Sequence, residues 1–187
     1  MRLFVALELP DEIKQKIQKT SEKLRQELDS NSLSIVKPEN MHLTLRFIGE
    51  VDEKTLEEID RRLKQIKFKP VDCSVKGVGV FPNEKHAKVI WVGIESSGKL
   101  ESLATQVIQS LRGIGKEDRI EERFSAHITI ARMKRNGKRK IELDEFLANN
   151  RTLEFGEVNV QKFELIESKL KPEGAEYIVL KEYKLSE

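Results

Sequence analysis

Two stretches of this chain repeat the same order of predicted elements and end in the same motif. The order strand, helix, strand is predicted first at 3–9, 11–29 and 41–48, and again at 88–95, 99–112 and 126–132. The last strand of each set opens a His-x-Thr-x motif, HLTL from His42 and HITI from His127. Each motif strand is followed by a helix and two further strands, with the later helix near 142–148 and the later strands near 153–166 and 176–183. We therefore predict one domain over residues 1–187, built from two diverged copies of one unit that form two lobes related by approximate two-fold symmetry.

The two motifs predict a strand with one polar and one apolar face. Side chains i and i+2 share a face of a β-strand, so His42 lies beside Thr44 and His127 lies beside Thr129. Strict alternation places the intervening apolar residues in the core: Leu43, Leu45, Phe47, Ile128 and Ile130. Facing each other across a cleft, the two strands would supply two imidazoles and two hydroxyls around one small volume.

Such a pocket suits in-line displacement at phosphorus. Imidazole has an unperturbed pKa of about 6.5, so one histidine can be neutral and the other protonated near neutral pH. The neutral one can deprotonate the nucleophile while the protonated one protonates the leaving oxygen. Threonine hydroxyls can hydrogen-bond the non-bridging oxygens, where negative charge accumulates. The motifs thus favour hydrolysis of a phosphodiester, particularly a strained cyclic one, without a metal or a covalent intermediate.

Other interpretations of these residues stay open at this stage. A single histidine on a strand is most often a structural residue, and the third histidine, His86, keeps that interpretation. Two histidines can also be metal ligands, but no acid stands two or four residues from His42 or His127, and zinc usually takes three or four ligands. We therefore predict no metal and no cofactor. Cys73 has no motif around it that is typical of a nucleophile.

Composition limits the class of protein. The chain has 187 residues, 35% of them charged, with a net charge of +2, which is typical of a globular domain without an overall basic surface. Its single cysteine, Cys73, excludes an internal disulfide and favours a reducing compartment. The apolar run at the N-terminus is too short for a signal peptide, and no stretch is long enough to cross a membrane. We expect a cytoplasmic, monomeric protein that does not bind membranes.

The motifs and their flanking strings resemble those of a known family. RLFVALELP, HLTLRFIGEV, AHITIAR and FELIESKLKPEGAEY resemble the RNA 2′,3′-cyclic phosphodiesterases, historically named 2′-5′ RNA ligases, of the 2H phosphoesterase superfamily, over essentially the whole chain. The resemblance implies a bilobal α+β fold in which two antiparallel-rich sheets flank a central cleft, with helices outside. It also implies hydrolysis of RNA 2′,3′-cyclic phosphate ends, tRNA-derived ends included, to 2′-phosphomonoesters.

The resemblance further implies the roles of single residues. His42 matches the proton donor to the departing 3′-oxygen, His127 matches the base that activates water, and Thr44 and Thr129 match phosphate-binding threonines. The same chemistry run with an RNA 5′-hydroxyl in place of water would join or cut a 2′-5′ linkage. Arg132 matches a substrate-binding arginine after the second motif, although alternation alone places it on the face opposite His127, so a bulge or the end of the strand must turn it inward.

Two basic features have an open interpretation. Alternation places Arg46 on the His42 face, where it can reach a phosphate or lie solvated at the cleft rim. The segment 132–140, RMKRNGKRK, holds six basic residues and no acid, so it is either an RNA-backbone contact or a solvated turn. Two other functions also remain: a non-catalytic RNA-binding module, and a phosphodiesterase of a small cyclic nucleotide such as a cyclic ADP-ribose phosphate.

Overall fold

The structure, a computed structural model, describes residues 1–28, 30–115, 124–134 and 141–186. Within these residues it contains nine strands: β1 (Arg2–Glu8), β2 (Leu33–Ile35), β3 (His42–Glu50), β4 (Val71–Phe81), β5 (Val89–Glu95), β6 (His127–Met133), β7 (Glu154–Val160), β8 (Lys162–Lys171) and β9 (Gly174–Lys184). The same residues contain four α-helices: α1 (Asp11–Glu27), α2 (Glu53–Leu63), α3 (Lys99–Ser110) and α4 (Ile141–Asn150). Among the described residues, no helix is both long and apolar enough to cross a membrane.

The strands form two antiparallel sheets. The first sheet has the order β3-β1-β8-β9, and the second has the order β2-β6-β5-β4-β7. Each histidine strand pairs with the strand that begins its own repeat: Glu8 of β1 lies opposite His42, and Gly93 of β5 lies opposite His127. Both partners lie 34 residues before their histidine, so the two strand–helix–strand sets have the same length. The predicted α+β class with two antiparallel sheets is confirmed.

Helices cover one face of each sheet. The helix of each strand–helix–strand set packs on the sheet that does not contain the first strand of that set. Helix α1 leaves the first sheet and packs on β2, β6 and β7 of the second, where α4 joins it. Helix α3 leaves the second sheet and packs on β3 and on α2. The hydroxyl of Tyr183 in β9 donates to Asp60 of α2 at 2.9 Å, which fixes α2 to the first sheet. The cores of both sheets therefore merge into one cluster.

The first and second sheets meet where β3 packs beside β6. Leu43 and Leu45 of β3 and Ile128 and Ile130 of β6 are buried in the common core on the helix side. The opposite faces carry the histidines and threonines, all four of which are half-buried. We call the side of each sheet that carries these residues its histidine face.

The first sheet also curls. Strand β9 is at the edge farthest from β3, yet Tyr177 of β9 contacts the His42 ring at 5.7 Å between ring centroids. In the turn before β3, the side-chain amide of Asn40 donates a hydrogen bond to the Ala175 carbonyl at 2.9 Å. The β8–β9 hairpin therefore folds back across the histidine face of the first sheet and flanks His42.

The structure differs from the predicted elements in several places. The strand predicted at 153–166 is two strands, β7 and β8, which belong to different sheets and separate at Gln161. The three-residue strand β2 lies in what the sequence presents as a break, because a strand this short has too few residues to show alternation. The helix predicted to end at residue 29 ends at Glu27.

Candidate active site

A β-bulge interrupts both histidine strands at the same place. In β3, Thr44 lies opposite Ala6 but Arg46 lies opposite Val5, so Leu45 is an extra residue. In β6, Thr129 lies opposite Trp91 but Ala131 lies opposite Ile90, so Ile130 is the extra residue. Of the two features expected to turn Arg132, a bulge or a strand end, the structure has the bulge, and an equivalent bulge that the sequence analysis missed lies in the first motif strand. After each bulge the side chains change faces.

The bulge in β3 overturns the predicted places of two residues. Phe47, predicted to lie in the core, is 70% exposed, because the bulge turns it to the histidine face. Arg46, predicted to lie on the histidine face or solvated at the cleft rim, is 4% exposed on the core side. Both interpretations of Arg46 are therefore wrong, and it is not placed to bind a phosphate beside His42.

Arg46 instead holds the end of a helix. Its guanidinium donates to the carbonyls of Ile108 at 3.0 Å and Ile114 at 2.9 Å, in and just after the last turn of α3. Helix α3 has no basic residue of its own in its last turn, where the helix dipole favours a positive charge. Arg62 of α2 adds hydrogen bonds to the carbonyls of Ser110 and Arg112. These arginines fix α3 to the first sheet.

Arg132 reaches the histidine face through the bulge in β6. It lies five residues after His127 and is exposed, whereas Ala131 before it is buried. It occupies the position in the second strand that Phe47 occupies in the first. Of the basic segment 132–140, Lys134 is also exposed, and residues 135–140 lie outside the described residues.

His127 has a defined hydrogen bond at one ring nitrogen. Its Nδ1 lies 2.7 Å from the carbonyl oxygen of Ser125. A carbonyl oxygen only accepts, so we assign the proton to Nδ1, which donates. In the neutral ring, Nε2 then carries the lone pair and can accept a proton. The hydrogen bond to the Ser125 carbonyl thus fixes the orientation of the imidazole, as a third group does for the general base of many enzymes.

His42 has a more desolvated environment. Burial is the main cause that lowers its pKa below 6.5; the Asn40 carbonyl raises the pKa, the Lys14 charge lowers it and the Glu8 charge raises it. Nδ1 of His42 is buried and has no geometrically good hydrogen bond among the described residues, although the Asn40 carbonyl is close enough to affect the pKa. Lys14 is itself buried and donates to Glu8 at 3.1 Å.

Aromatic rings surround both histidines and were not predicted from the sequence. The His42 ring makes edge contacts with Phe4 and Tyr177, at 6.4 and 5.7 Å. The His127 ring makes an edge contact with Phe81 at 4.9 Å, and Phe81 lies against Trp91 at 5.2 Å. The sequence indicated that Phe4, Trp91 and Tyr177 lie in predicted strands. It did not show which face of the sheet each ring would occupy, because that depends on strand register.

On the histidine face of the second sheet, Gly79 leaves room for the indole ring of Trp91. A Cβ atom on Gly79 would collide with the indole of Trp91, so the indole lies directly over this residue. Trp91 is opposite Thr129 in the neighbouring strand and therefore borders the motif. Gly79 thus has a packing reason to be glycine.

The two motif strands, their matched bulges and their polar faces define a class of two-sheet protein with a histidine and a threonine on the motif strand of each sheet. A family described as LigT like phosphoesterase matches residues 7–91. The chain is 37% identical to an RNA 2′,3′-cyclic phosphodiesterase of Archaeoglobus fulgidus, over 95% of this chain and 96% of the relative. It is 32% identical to one of Methanocaldococcus jannaschii, over 98% of this chain and all of the relative.

Solved structures agree with this similarity. The crystal structure of TT0787 of Thermus thermophilus has a TM-score of 0.79 and 31% identity, and covers 99% of this chain and 98% of its own. The fold is also that of Escherichia coli LigT in its apo form, with a TM-score of 0.77 and 23% identity over the whole of this chain and 98% of LigT. The chain belongs to the LigT-like phosphoesterase family, which confirms the resemblance and the prediction of a phosphoesterase enzyme.

Proposed function

We propose that this enzyme hydrolyses RNA 2′,3′-cyclic phosphate ends to 2′-phosphomonoesters by two-histidine acid–base catalysis without a metal ion. The observation that carries the proposal is the matched pair of strands, β3 and β6, which pack side by side and present His and Thr on the face opposite the shared core. The names of relatives that align over nearly the whole chain support the substrate class.

The hydrogen bond of His127 supports its role as the base. Its Nε2 takes a proton from water as the water oxygen attacks phosphorus. The bond from phosphorus to the 3′-oxygen breaks, and His42 gives its proton to that oxygen. The products are a free 3′-hydroxyl and a 2′-phosphomonoester, so every atom of the added water is accounted for. The lowered pKa of His42 makes it a stronger acid than an ordinary histidine once it is protonated.

Thr44 and Thr129 and, beyond the second bulge, Arg132 are proposed to hold the phosphate. Each threonine lies one strand step from its histidine on the same face, and its hydroxyl can donate to a non-bridging oxygen. The Arg132 guanidinium offers several donors and a positive charge to the same group. The corresponding reversible joining of a 2′-5′ linkage would use the same groups, with an RNA 5′-hydroxyl in place of water.

The predicted domain organisation is part of the same proposal. We infer one domain over residues 1–187 with two pseudo-symmetric lobes. The equal spacing to His42 and His127, the matched bulges and the exchange of α1 and α3 between sheets support this duplication.

The test is incubation with an oligoribonucleotide that ends in a 2′,3′-cyclic phosphate. We expect a product with a 2′-phosphate, identified by ³¹P NMR, and turnover unaffected by EDTA. A 3′-phosphate product would contradict the assignment of the leaving oxygen. Loss of turnover in EDTA that Mg²⁺ or Zn²⁺ restores would contradict the metal-independent reaction.

A further inference from the structure

A large ring covers the histidine face of the second sheet directly beside the second motif. Trp91 is opposite Thr129 in the neighbouring strand, and Gly93 is opposite His127. The indole extends across two glycines: a Cβ atom on Gly79 would collide with it, and one on Gly93 would lie 3.4 Å from it. Because these two positions carry no side chain, the indole can lie against the sheet itself.

A second ring connects the indole with the proposed base. The Phe81 ring lies 5.2 Å from the Trp91 ring, with an angle of 37° between the planes, and makes an edge contact with the His127 ring at 4.9 Å. We call Phe81 and Trp91 the aromatic pair of the second sheet. Both residues are half-buried, so each keeps part of its surface open to solvent. The indole nitrogen of Trp91 is buried, so the open part of that ring is hydrocarbon.

Packing in the core does not account for the aromatic pair. Neither ring belongs to the hydrophobic core or packs against it. Core rings such as Phe146 and Phe163 are almost fully buried on the helix side, whereas the pair lies on the face that carries His127. Rings arranged in this way offer a π surface to a flat ligand.

The proposed reaction decides which part of the substrate lies on this side. In an in-line displacement, the attacking oxygen and the leaving oxygen are on opposite sides of phosphorus. His42 serves the leaving 3′-oxygen, so the ribose of the cyclic nucleotide lies toward the first sheet. His127 serves the attacking oxygen, so the nucleophile lies toward the second sheet. When the nucleophile is an RNA 5′-hydroxyl, a single ribose separates its oxygen from a base, and the aromatic pair adjoins that base.

We infer that Phe81 and Trp91 form the binding surface for the base of the second nucleoside, the one that brings its 5′-hydroxyl to phosphorus. This inference rests on the proposed function and adds a site for the partner that replaces water. In joining, the 5′-oxygen bonds to phosphorus and its proton passes to His127, while the bond to the 3′-oxygen breaks and His42 protonates that oxygen. In cleavage of a 2′-5′ linkage, each of these steps runs in reverse. Stacking is tolerant of base identity, because every base has a π face.

The experiment compares cleavage of two 2′-5′-linked substrates by each variant. One is the 2′-5′ dinucleotide of adenosine, and the other is its analogue in which the second residue is a methyl ribofuranoside. Both release adenosine 2′,3′-cyclic phosphate and a primary 5′-hydroxyl, and they differ only in the second base. The wild type should have the higher kcat/KM on the dinucleotide. Phe81→Leu and Trp91→Leu should each lower the ratio of the two kcat/KM values by about 5- to 150-fold, since stacking is lost. A disturbed His127 would slow both substrates and leave this ratio unchanged.

Three further variants separate stacking from packing. Trp91→Phe keeps a π face and should retain more of the ratio than Trp91→Leu. Gly79→Ala keeps the indole but displaces it from the sheet, so it should lower the ratio as well. Leu153→Ala, at an exposed apolar residue outside the aromatic pair, should leave the ratio unchanged.

Hydrolysis of adenosine 2′,3′-cyclic phosphate, measured in parallel, separates this inference from the proposed function. If the wild type hydrolyses the cyclic phosphate but cleaves neither 2′-5′ substrate, or cleaves both equally well, the inference is wrong and the proposed function stands. Equal losses on both substrates in the leucine variants would also overturn the inference. If the wild type hydrolyses neither the cyclic phosphate nor an RNA end that carries one, the proposed function fails and the inference fails with it.

Discussion

The two histidine strands share a backbone design and differ in what they do with it. From the histidine onward, β3 and β6 have the same alternation of half-buried and buried residues, then two buried residues in succession and an exposed one. At the second buried position of the pair, β3 has Arg46 and β6 has Ala131; at the exposed position, β3 has Phe47 and β6 has Arg132. The shared backbone pattern therefore fixes where the side chains point, and the sequence of each strand decides their chemistry.

The difference gives the two strands different side chains at equivalent positions. In the first strand the arginine is inside and holds α3, while the outward position carries a ring. In the second strand a small alanine fills the inner position, and the outward position carries the cation. The histidines differ as well, since the pKa of His42 is lowered by burial, while His127 has its Nδ1 on the Ser125 carbonyl. The two histidine strands are thus not interchangeable in the proposed reaction.

The largest expected effect comes from removing either histidine. His42→Ala and His127→Ala should each lower kcat by about 10²- to 10⁴-fold, because each removes one proton-transfer group. The pH dependence should distinguish them. In the wild type, kcat/KM should fall at low pH as the base is protonated and at high pH as the acid is deprotonated. His127→Ala should lose the acidic limb, and His42→Ala should lose the alkaline limb.

The position of the alkaline limb sharpens this comparison. In His127→Ala the proposed acid, His42, remains, so the residual kcat/KM should decline as the pH rises through the pKa of His42, which burial lowers in the free enzyme. A bound anionic phosphate favours the protonated ring, so the alkaline limb of kcat should lie at higher pH. Thermal melts serve as the control, since both half-buried histidines can be truncated without opening the core. Wild-type turnover in both variants would refute the mechanism.

Sequence reasoning succeeded where alternation is regular and failed where it is interrupted. His42 and Thr44 were placed correctly, because no irregularity lies between them. Arg46 and Phe47 were misplaced, because an extra residue in one strand shifts all later residues to the other face and leaves no clear mark in a single sequence. A bulge or a strand end was inferred after His127 only because Arg132 needed one. A bulge at the same place in β3 would have exposed Phe47.

The parts of the site that come from distant strands were also beyond sequence reasoning. Tyr177 lies 135 residues from His42 and meets it only because the first sheet curls. Its position depends on the β8–β9 register and on the bulge at Leu180 in β9, neither of which has a local signal. The contact between Gly79 and Trp91 likewise depends on register.

The next largest effect should be on stability, at Arg46. Arg46→Ala removes charged hydrogen bonds to the carbonyls of Ile108 and Ile114, so the free energy of unfolding should fall by about 2–4 kcal/mol. Arg62→Ala is a matched control, since it also loses two carbonyl contacts near the end of α3 but from a partly exposed side chain. Its cost should be about 0–1 kcal/mol. Urea unfolding measures both, and equal costs would contradict the distinction by burial.

In contrast to Arg46, Arg132 should affect activity and not stability. Arg132→Ala should leave urea unfolding unchanged, because the side chain is exposed, but should lower kcat/KM by about 10- to 100-fold through loss of phosphate contacts. Arg132→Lys should recover part of the rate, since it restores the charge but not the planar array of donors. If Arg132→Ala destabilises the fold and leaves kcat/KM intact, the two arginines would have to exchange their assigned roles.

The smallest effect should come from the charge pair beside His42. The Glu8 charge raises the pKa of His42 and the Lys14 charge lowers it, while Lys14 donates to Glu8 at 3.1 Å. Glu8→Gln should therefore lower the pKa of His42 and move the alkaline limb of kcat/KM to lower pH, and Lys14→Gln should raise the pKa and move the limb upward. NMR titration of the His42 ring protons measures both directly, with His127 in the same spectra as the internal control. Shifts of the same sign in the two variants would mean that altered solvation, rather than the paired charges, sets the pKa of the first histidine.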